Sequence, residues 1–142
     1  MGKSVQVKRI ENELRSVNSK ITLLKEYKKE LNLYIGQEEI FKKDIDILKY
    51  KISMIECNLE LVRKSLELLD ATERIIIAEY YFAKKTKDNI GGQLNISMNT
   101  ISAYKKMALE KLGDLLYDHF AFWDKKGYKF SLEENKKVNP IF

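Results

Sequence analysis

The first third of the chain repeats apolar residues at alternating spacings of three and four. Lys28 occupies the one polar step in the series. This is the a/d pattern of a coiled-coil helix, so the segment is predicted to be helical with one apolar seam. The apolar members are Val7, Ile10, Leu14, Val17, Ile21, Leu24, Leu31 and Ile35.

A second series keeps the same spacing but is out of phase with the first. Continuing the first series past Ile35 would place Glu38 and Lys42 in the core. The slip lies near Gly36, and glycine often ends helices because it adopts the left-handed conformation cheaply. The second series consists of Phe41, Ile45, Leu48, Ile52, Ile55, Leu59, Val62, Leu66 and Leu69.

Two arrangements satisfy this pattern. One is an antiparallel hairpin, with arms roughly 45 Å long at ~1.5 Å per residue. The other is one long helix with a phase slip, which would favour a parallel dimer. The glycine between two seams of nearly equal length favours the hairpin. No capping residue stands at Gln37 or Glu38 to mark the start of a second helix, so the long helix stays open. Residues 1–69 are therefore predicted to form a coiled-coil-like region for oligomerisation or docking, with a homodimer as the favoured state.

Local capping signals replace the heptads after residue 69. Asp70 and Glu73 match a capping box at the start of a helix over "ATERIIIAEYYFA". Thr86 is the next cap, ahead of the short helix "KDNIGGQL". Ser97 caps the longer helix "MNTISAYKKMALEKL", after a turn at Asn95.

The short helix, the turn and the longer helix have the spacing of a helix-turn-helix. Gly91 lies where the two helices cross, so Gly91→Leu is expected to overpack and Gly91→Ala to be tolerated. Asn95 suits the turn because asparagine tolerates a positive φ. Gly92 faces outward, and packing gives no reason for it. The expected buried stripe consists of Ile96, Ile101, Ala108 and Leu112, bordered by Tyr104.

Residues 69–116 resemble region 4 of the sigma-70 family, the part that reads a promoter element. The sequence departs from that pattern at Tyr80, Lys84, Gly91 and Asn95, where a basic residue, glycine, alanine and glycine are common. Losing the basic residue at position 80 would weaken a phosphate contact. The matching residues are Glu73, Arg74, Tyr81, Phe82, Thr86, Ile90, Leu94, Ile96, Ser97, Thr100, Ile101, Ala108 and Leu112.

More narrowly, the chain resembles phage late-gene transcription activators of the ArpU and RinA type. Those proteins also place coiled-coil-like helices ahead of a carboxy-terminal sigma-like helix-turn-helix. The resemblance implies an all-α regulator with a DNA-binding domain over residues 70–117. It also implies double-stranded DNA as a partner and RNA polymerase as a candidate partner.

In such a motif the amino-terminal end of the second helix enters the major groove. Asn99 can bond an adenine edge there, and Met98 or Ala103 can contact a thymine methyl group. Lys105 and Lys106 suit phosphates. The residues predicted to contact DNA are Thr86, Lys87, Ser97, Met98, Asn99, Thr100, Ser102, Ala103, Lys105 and Lys106.

The composition argues against several classes of function. The net charge of +5 is compatible with nucleic acid but is spread thinly along the chain. Cys57 and His119 are the single cysteine and histidine, which leaves no metal cage, cofactor site or catalytic pair to predict. No apolar run is long enough for a membrane span, and no secretion signal opens the sequence. We therefore expect a cytoplasmic protein that is not an enzyme.

Two further functions fit the same elements. A small-terminase-like DNA-packaging subunit also joins a helix-turn-helix to oligomerising helices. A sigma-like protein that docks on RNA polymerase without reading DNA is the other alternative. Residues 118–142 are predicted to be an aromatic and basic tail, irregular beyond about residue 125, with Phe120, Phe122 and Trp123 packed on the domain.

Overall fold

The computed structural model is all-α, as predicted. It describes residues 3–125 and the side chains of residues 5–116, so the aromatic side chains of the predicted tail and its residues 126–142 lie outside the described part. No strand occurs in residues 3–125, and no helix there is long and apolar enough to span a membrane. The helices are α1 (Lys3–Arg15), α2 (Val17–Asn32), α3 (Lys42–Leu66), α4 (Ala71–Ile77), α5 (Lys87–Leu94) and α6 (Met98–Lys125).

Helices α2 and α3 form the predicted antiparallel hairpin, and the single long helix is wrong. The chain reverses at Gly36, whose φ of +89° is one that glycine adopts without strain. Its N–H donates to a side-chain oxygen of Glu38 at 3.0 Å. Lys28, the polar step of the first series, is exposed and pairs across the hairpin with Glu56 at 3.1 Å.

The apolar seam of α3 matches its prediction, but the seam of α2 is rotated, so that alternate positions shift by one residue. On α3 the predicted positions are buried or half-buried, with Ile45, Leu48, Ile52 and Ile55 among the buried ones. Three predicted positions on α2 and just after it, Ile21, Lys28 and Ile35, are exposed, whereas Leu24 and Leu31 are half-buried as predicted. In place of the exposed three, the residues directly before them, Lys20, Tyr27 and Tyr34, are buried or half-buried.

The rotation follows from a tightened turn between α1 and α2. The N–H of Ser16 donates to two carbonyls, those of Asn12 at 3.1 Å and Glu13 at 3.2 Å. The second bond spans only three residues, and a three-residue turn rotates the chain further per residue than an α-helical turn. Lys20, Tyr27 and Tyr34 therefore reach the inner face in place of the residues that follow them.

Helix α1 packs on α6, so the core crosses the predicted boundary between residues 69 and 70. Gly113 brings the two helices close, because a Cβ added there would lie 3.3 Å from Cβ of Gln6. The hairpin base and the motif thus share one core. Its buried members are Ile10, Leu14, Val17, Val62, Leu69, Ile77, Tyr81, Ala108, Leu109, Leu112 and Leu116.

A buried polar cluster joins α1, α2 and α3 at the hairpin base. Lys20 Nζ lies 2.6 Å from Glu13 Oε2 and 2.9 Å from Asn58 Oδ1, and all three residues are at most 2% exposed. Burial lowers the pKa of Lys20, while the charge and hydrogen bond of Glu13 act in the opposite direction. The ammonium group is therefore buried from solvent and held there by Glu13 and Asn58.

Candidate nucleic-acid interface

Helix α4 begins with the predicted capping box. The N–H of Asp70 donates to Glu73 Oε1 at 3.1 Å, and the Asp70 side chain accepts from the backbone of Glu73. Glu73 is fully buried and also accepts from Lys111 Nζ at 2.9 Å. That hydrogen bond, with the charges of Glu73 and Asp70, raises the pKa of Lys111. The cap thus fixes α4 against α6 as well.

The chain leaves α4 through a π-helical turn, Ala78–Phe82, closed by a bond from the Ala83 N–H to the Ala78 carbonyl. Lys84 follows with a φ of +59°. This conformation costs a residue with a side chain roughly 1–2 kcal/mol, and glycine, common here in sigma-like sequences, avoids that cost. The departure at position 84 therefore places a basic side chain where the backbone favours glycine.

Both caps of the helix-turn-helix and its turn form as predicted. Thr86 Oγ1 accepts from the Asn89 N–H at 3.1 Å, and Ser97 Oγ accepts from the Thr100 N–H at 3.1 Å. Asn95 is left-handed, with φ 59° and ψ 44°. This geometry directs the N–H groups of Asn95 and Ile96 back to the Gly91 carbonyl, which ends α5.

The crossing at Gly91 is tighter than predicted. A Cβ added there would lie 2.7 Å from the backbone oxygen of Ile96, which cannot move aside as a flexible side chain could. The expectation that alanine is tolerated is therefore corrected. A Cβ at Gly92 would meet nothing within 4 Å. Ile90 and Ile101, fully buried, pack beside the crossing as predicted.

The first turns of α6 present an exposed face beside the turn. Asn99, Ala103 and Lys106 are exposed, Met98 is 51% exposed, and Ser102 is half-buried. Four of these five predicted DNA contacts are thus open to solvent. Ser97 and Thr100 are engaged with each other, with their hydroxyl oxygens 2.8 Å apart.

Lys105 points away from that face, which corrects its predicted role at a phosphate. Its side chain is only 16% exposed, and its Nζ lies 3.8 Å from Glu11 Oε2 and 4.5 Å from the ring centroid of Tyr80. Glu11 also accepts from the Tyr81 hydroxyl at 2.6 Å. Burial, together with Glu11, raises the pKa of Tyr81. Lys105 therefore helps hold α1 on α6.

Two contiguous grooves flank the exposed face. The turn groove, about 420 Å³, includes Gly92, Asn95, Ser97, Met98 and Asp88. The basic groove, about 530 Å³, runs from Met98 and Asp88 past the start of α5 to α1. Its cationic lining residues are Arg15, Lys84, Lys85 and Lys87. Thr86 and Lys87, both predicted DNA contacts, thus lie beside the exposed face of α6.

Arg15 is the cation of the basic groove that the sequence did not identify, because its wall of the groove comes from α1. Arg15 lies between Leu14 and Val17 in the heptad region, where a charged residue is expected on the ordinary solvent-exposed surface. Its place beside the motif depends on the packing of α1 on α6. Only a prediction of that long-range contact could have identified it.

Residues 65–113 match the family model of Sigma-70, region 4. No curated protein and no solved structure matches the chain. The matched segment runs from the end of α3 into the middle of α6, and it includes the turn and the exposed face. The predicted sigma-region-4-like helix-turn-helix is therefore confirmed, and it indicates a DNA-binding domain.

Proposed function

We propose that this protein is a sequence-specific DNA-binding transcription regulator with α6 as its recognition helix. The observation that carries the proposal is the exposed face of Met98, Asn99, Ala103 and Lys106, held beside the left-handed turn at Asn95. The sigma region 4 match over residues 65–113 supports the same assignment. Selection of bound sites from random duplexes tests it, since a regulator of this kind should enrich one sequence.

The finer role that we propose is activation of late genes in a phage or another mobile element, in the cytoplasm. The order of elements supports it, because a coiled-coil-like hairpin precedes the sigma-like motif as in activators of the ArpU and RinA type. RNA polymerase is the proposed protein partner. The hairpin would either contact it or set the oligomeric state.

Self-association stays a prediction, with a dimer as the favoured state. The α3 seam that suggested it is buried within one chain, whereas Leu33, Ile35 and Ile40 at the hairpin tip are more than 70% exposed. A dimer in mass measurements would favour regulation. A closed ring of roughly eight or more chains would favour the small-terminase-like alternative.

Asn99→Ala is expected to cost ~1–3 kcal/mol of binding free energy on the selected site and little on scrambled DNA. Asn99 is exposed on the first turn of α6, where a side chain can reach a base edge. The measurement is a set of binding isotherms on selected and scrambled duplexes at several salt concentrations. Equal losses on both duplexes would contradict direct base readout.

Lys106→Ala serves as the matched comparison on the same exposed face. It should weaken binding to both duplexes alike and reduce the salt slope by about one, as expected for a lost phosphate contact. Wild-type binding that hardly changes with salt would instead favour a protein that docks on polymerase without reading DNA.

A further inference from the structure

The basic groove extends the DNA-facing surface of the motif onto a helix outside the family match. Arg15 belongs to α1 and lines the groove with Lys84 and Lys87, far in sequence from residues 65–113. Its side chain is 54% exposed. The cation thus lies at the surface of a concave site that opens beside the first residue of the recognition helix.

The groove carries an excess of positive charge. Arg15, Lys84, Lys85 and Lys87 line it together with one carboxylate, that of Asp88. Lys85 is partly committed, because its Nζ contacts Glu79 and donates to Gln93 at 3.0 Å. Arg15 is partly committed as well, through Glu11. Lys84 and Lys87 still face the one carboxylate, which favours an anionic ligand.

Two contacts, one from α1 and one from the first turn of α2, hold the wall of the groove that carries Arg15. The Tyr81 hydroxyl donates to Glu11 at 2.6 Å, and Asn18 Nδ2 donates to the Phe82 carbonyl at 2.8 Å. Arg15 lies 3.4 Å from Glu11 and 5.8 Å from the Tyr81 ring centroid. Its guanidinium is therefore tethered on one side, with other N–H donors left for a ligand.

We infer that Arg15 binds a backbone phosphate of duplex DNA flanking the site read by α6, so that α1 forms part of the DNA-binding surface. This inference rests on the proposed function. A DNA strand at the start of α6 presents a phosphate every ~3.4 Å of helix axis. Met98 and Asp88 line both grooves, so a strand leaving the recognition face runs into the basic groove. Arginine suits phosphate because its planar fork donates two parallel bonds.

The test uses the full chain and two duplexes that contain the selected site, one with long flanks and one trimmed at the site. Arg15→Gln should weaken binding to the long duplex about threefold to tenfold and lower the salt slope by ~0.9. On the trimmed duplex, Arg15→Gln and wild type should bind alike. Arg15→Lys should keep the wild-type slope, because it retains the charge.

Lys29→Gln is the matched control, since it removes one exposed charge near the end of α2. It should bind the long duplex like wild type. A salt slope that Arg15→Gln leaves unchanged on the long duplex would overturn the inference, as would an equal loss on both duplexes. Failure of the proposed function would look different, because wild type itself would then select no sequence.

A second variant separates the phosphate contact from an effect through Glu11. Removing Arg15 takes one cation away from the Glu11 carboxylate. The negative charge of Glu11 would then repel a flanking DNA strand. The double variant Glu11→Gln/Arg15→Gln removes that repulsion. If Arg15 binds phosphate, the double variant keeps the reduced slope of Arg15→Gln, whereas recovery of the wild-type slope would overturn the inference.

Discussion

Lys20→Met should lower the free energy of unfolding by about 3–5 kcal/mol, measured by urea denaturation at neutral pH. The change removes the ammonium that lies 2.6 Å from Glu13 and leaves that carboxylate buried. Arg9 compensates only in part, because its Nε is 3.8 Å from Glu13 Oε1, beyond hydrogen-bond distance. Methionine fills much of the lysine volume. The lost free energy of unfolding therefore comes from the unpaired carboxylate and not from a cavity.

An apolar replacement of the whole cluster provides the control. Glu13→Leu/Lys20→Met/Asn58→Leu removes every member of the hydrogen-bonded set, so no charge of the set stays buried alone. Such replacements are often neutral, or stabilising by about 1–4 kcal/mol. The triple variant should therefore be more stable than Lys20→Met. If Lys20→Met unfolds like wild type, the Glu13 carboxylate does not depend on the Lys20 ammonium for its stability.

Gly91→Leu should lower the free energy of unfolding by about 1–3 kcal/mol. DNA binding should weaken as the free energy of unfolding falls. The leucine Cβ alone would lie 2.7 Å from the Ile96 backbone oxygen, so the turn and α6 must shift. Gly91→Ala meets the same oxygen but regains roughly 1 kcal/mol of helix propensity. Its net loss should be smaller than that of leucine.

Gly92→Ala is the matched control for the crossing. It adds the same methyl group one residue later, where nothing lies within 4 Å. Helix propensity should then stabilise the protein by about 0.5–1 kcal/mol. Thermal unfolding of both alanine variants measures the contrast. Stabilisation by Gly91→Ala equal to that by Gly92→Ala would show that α5 and α6 cross elsewhere.

The features predicted from the sequence are those set by neighbouring residues. The hairpin, the capping box at Asp70 and the caps at Thr86 and Ser97 each depend on a local pattern, and each is present. The left-handed turn at Asn95 follows from the same kind of signal. These local signals were enough to predict the helix-turn-helix and most of the residues on its exposed face.

The features that the sequence did not predict have two causes. The rotated seam of α2 follows from a local three-residue bond at Ser16, which counting heptads does not reveal. The other features depend on contacts between distant parts of the chain. Lys105 looks free on an isolated helix, because its partner Glu11 belongs to α1. Arg15 joins the candidate site for the same reason. Periodicity predicts which face of a helix is apolar, but not which helix covers it.

The packing of α1 on α6 has a consequence for how the protein is made. Gln6 lies against Gly113, so about 100 residues of chain must be synthesised between the two halves of one core. The hairpin can form early on the ribosome, because its contacts are local, whereas closure of this long loop has to wait. DNA-binding competence should therefore arise late in synthesis, once α6 has emerged. A fragment limited to residues 65–113 should fold poorly, because it lacks the helix that completes its core.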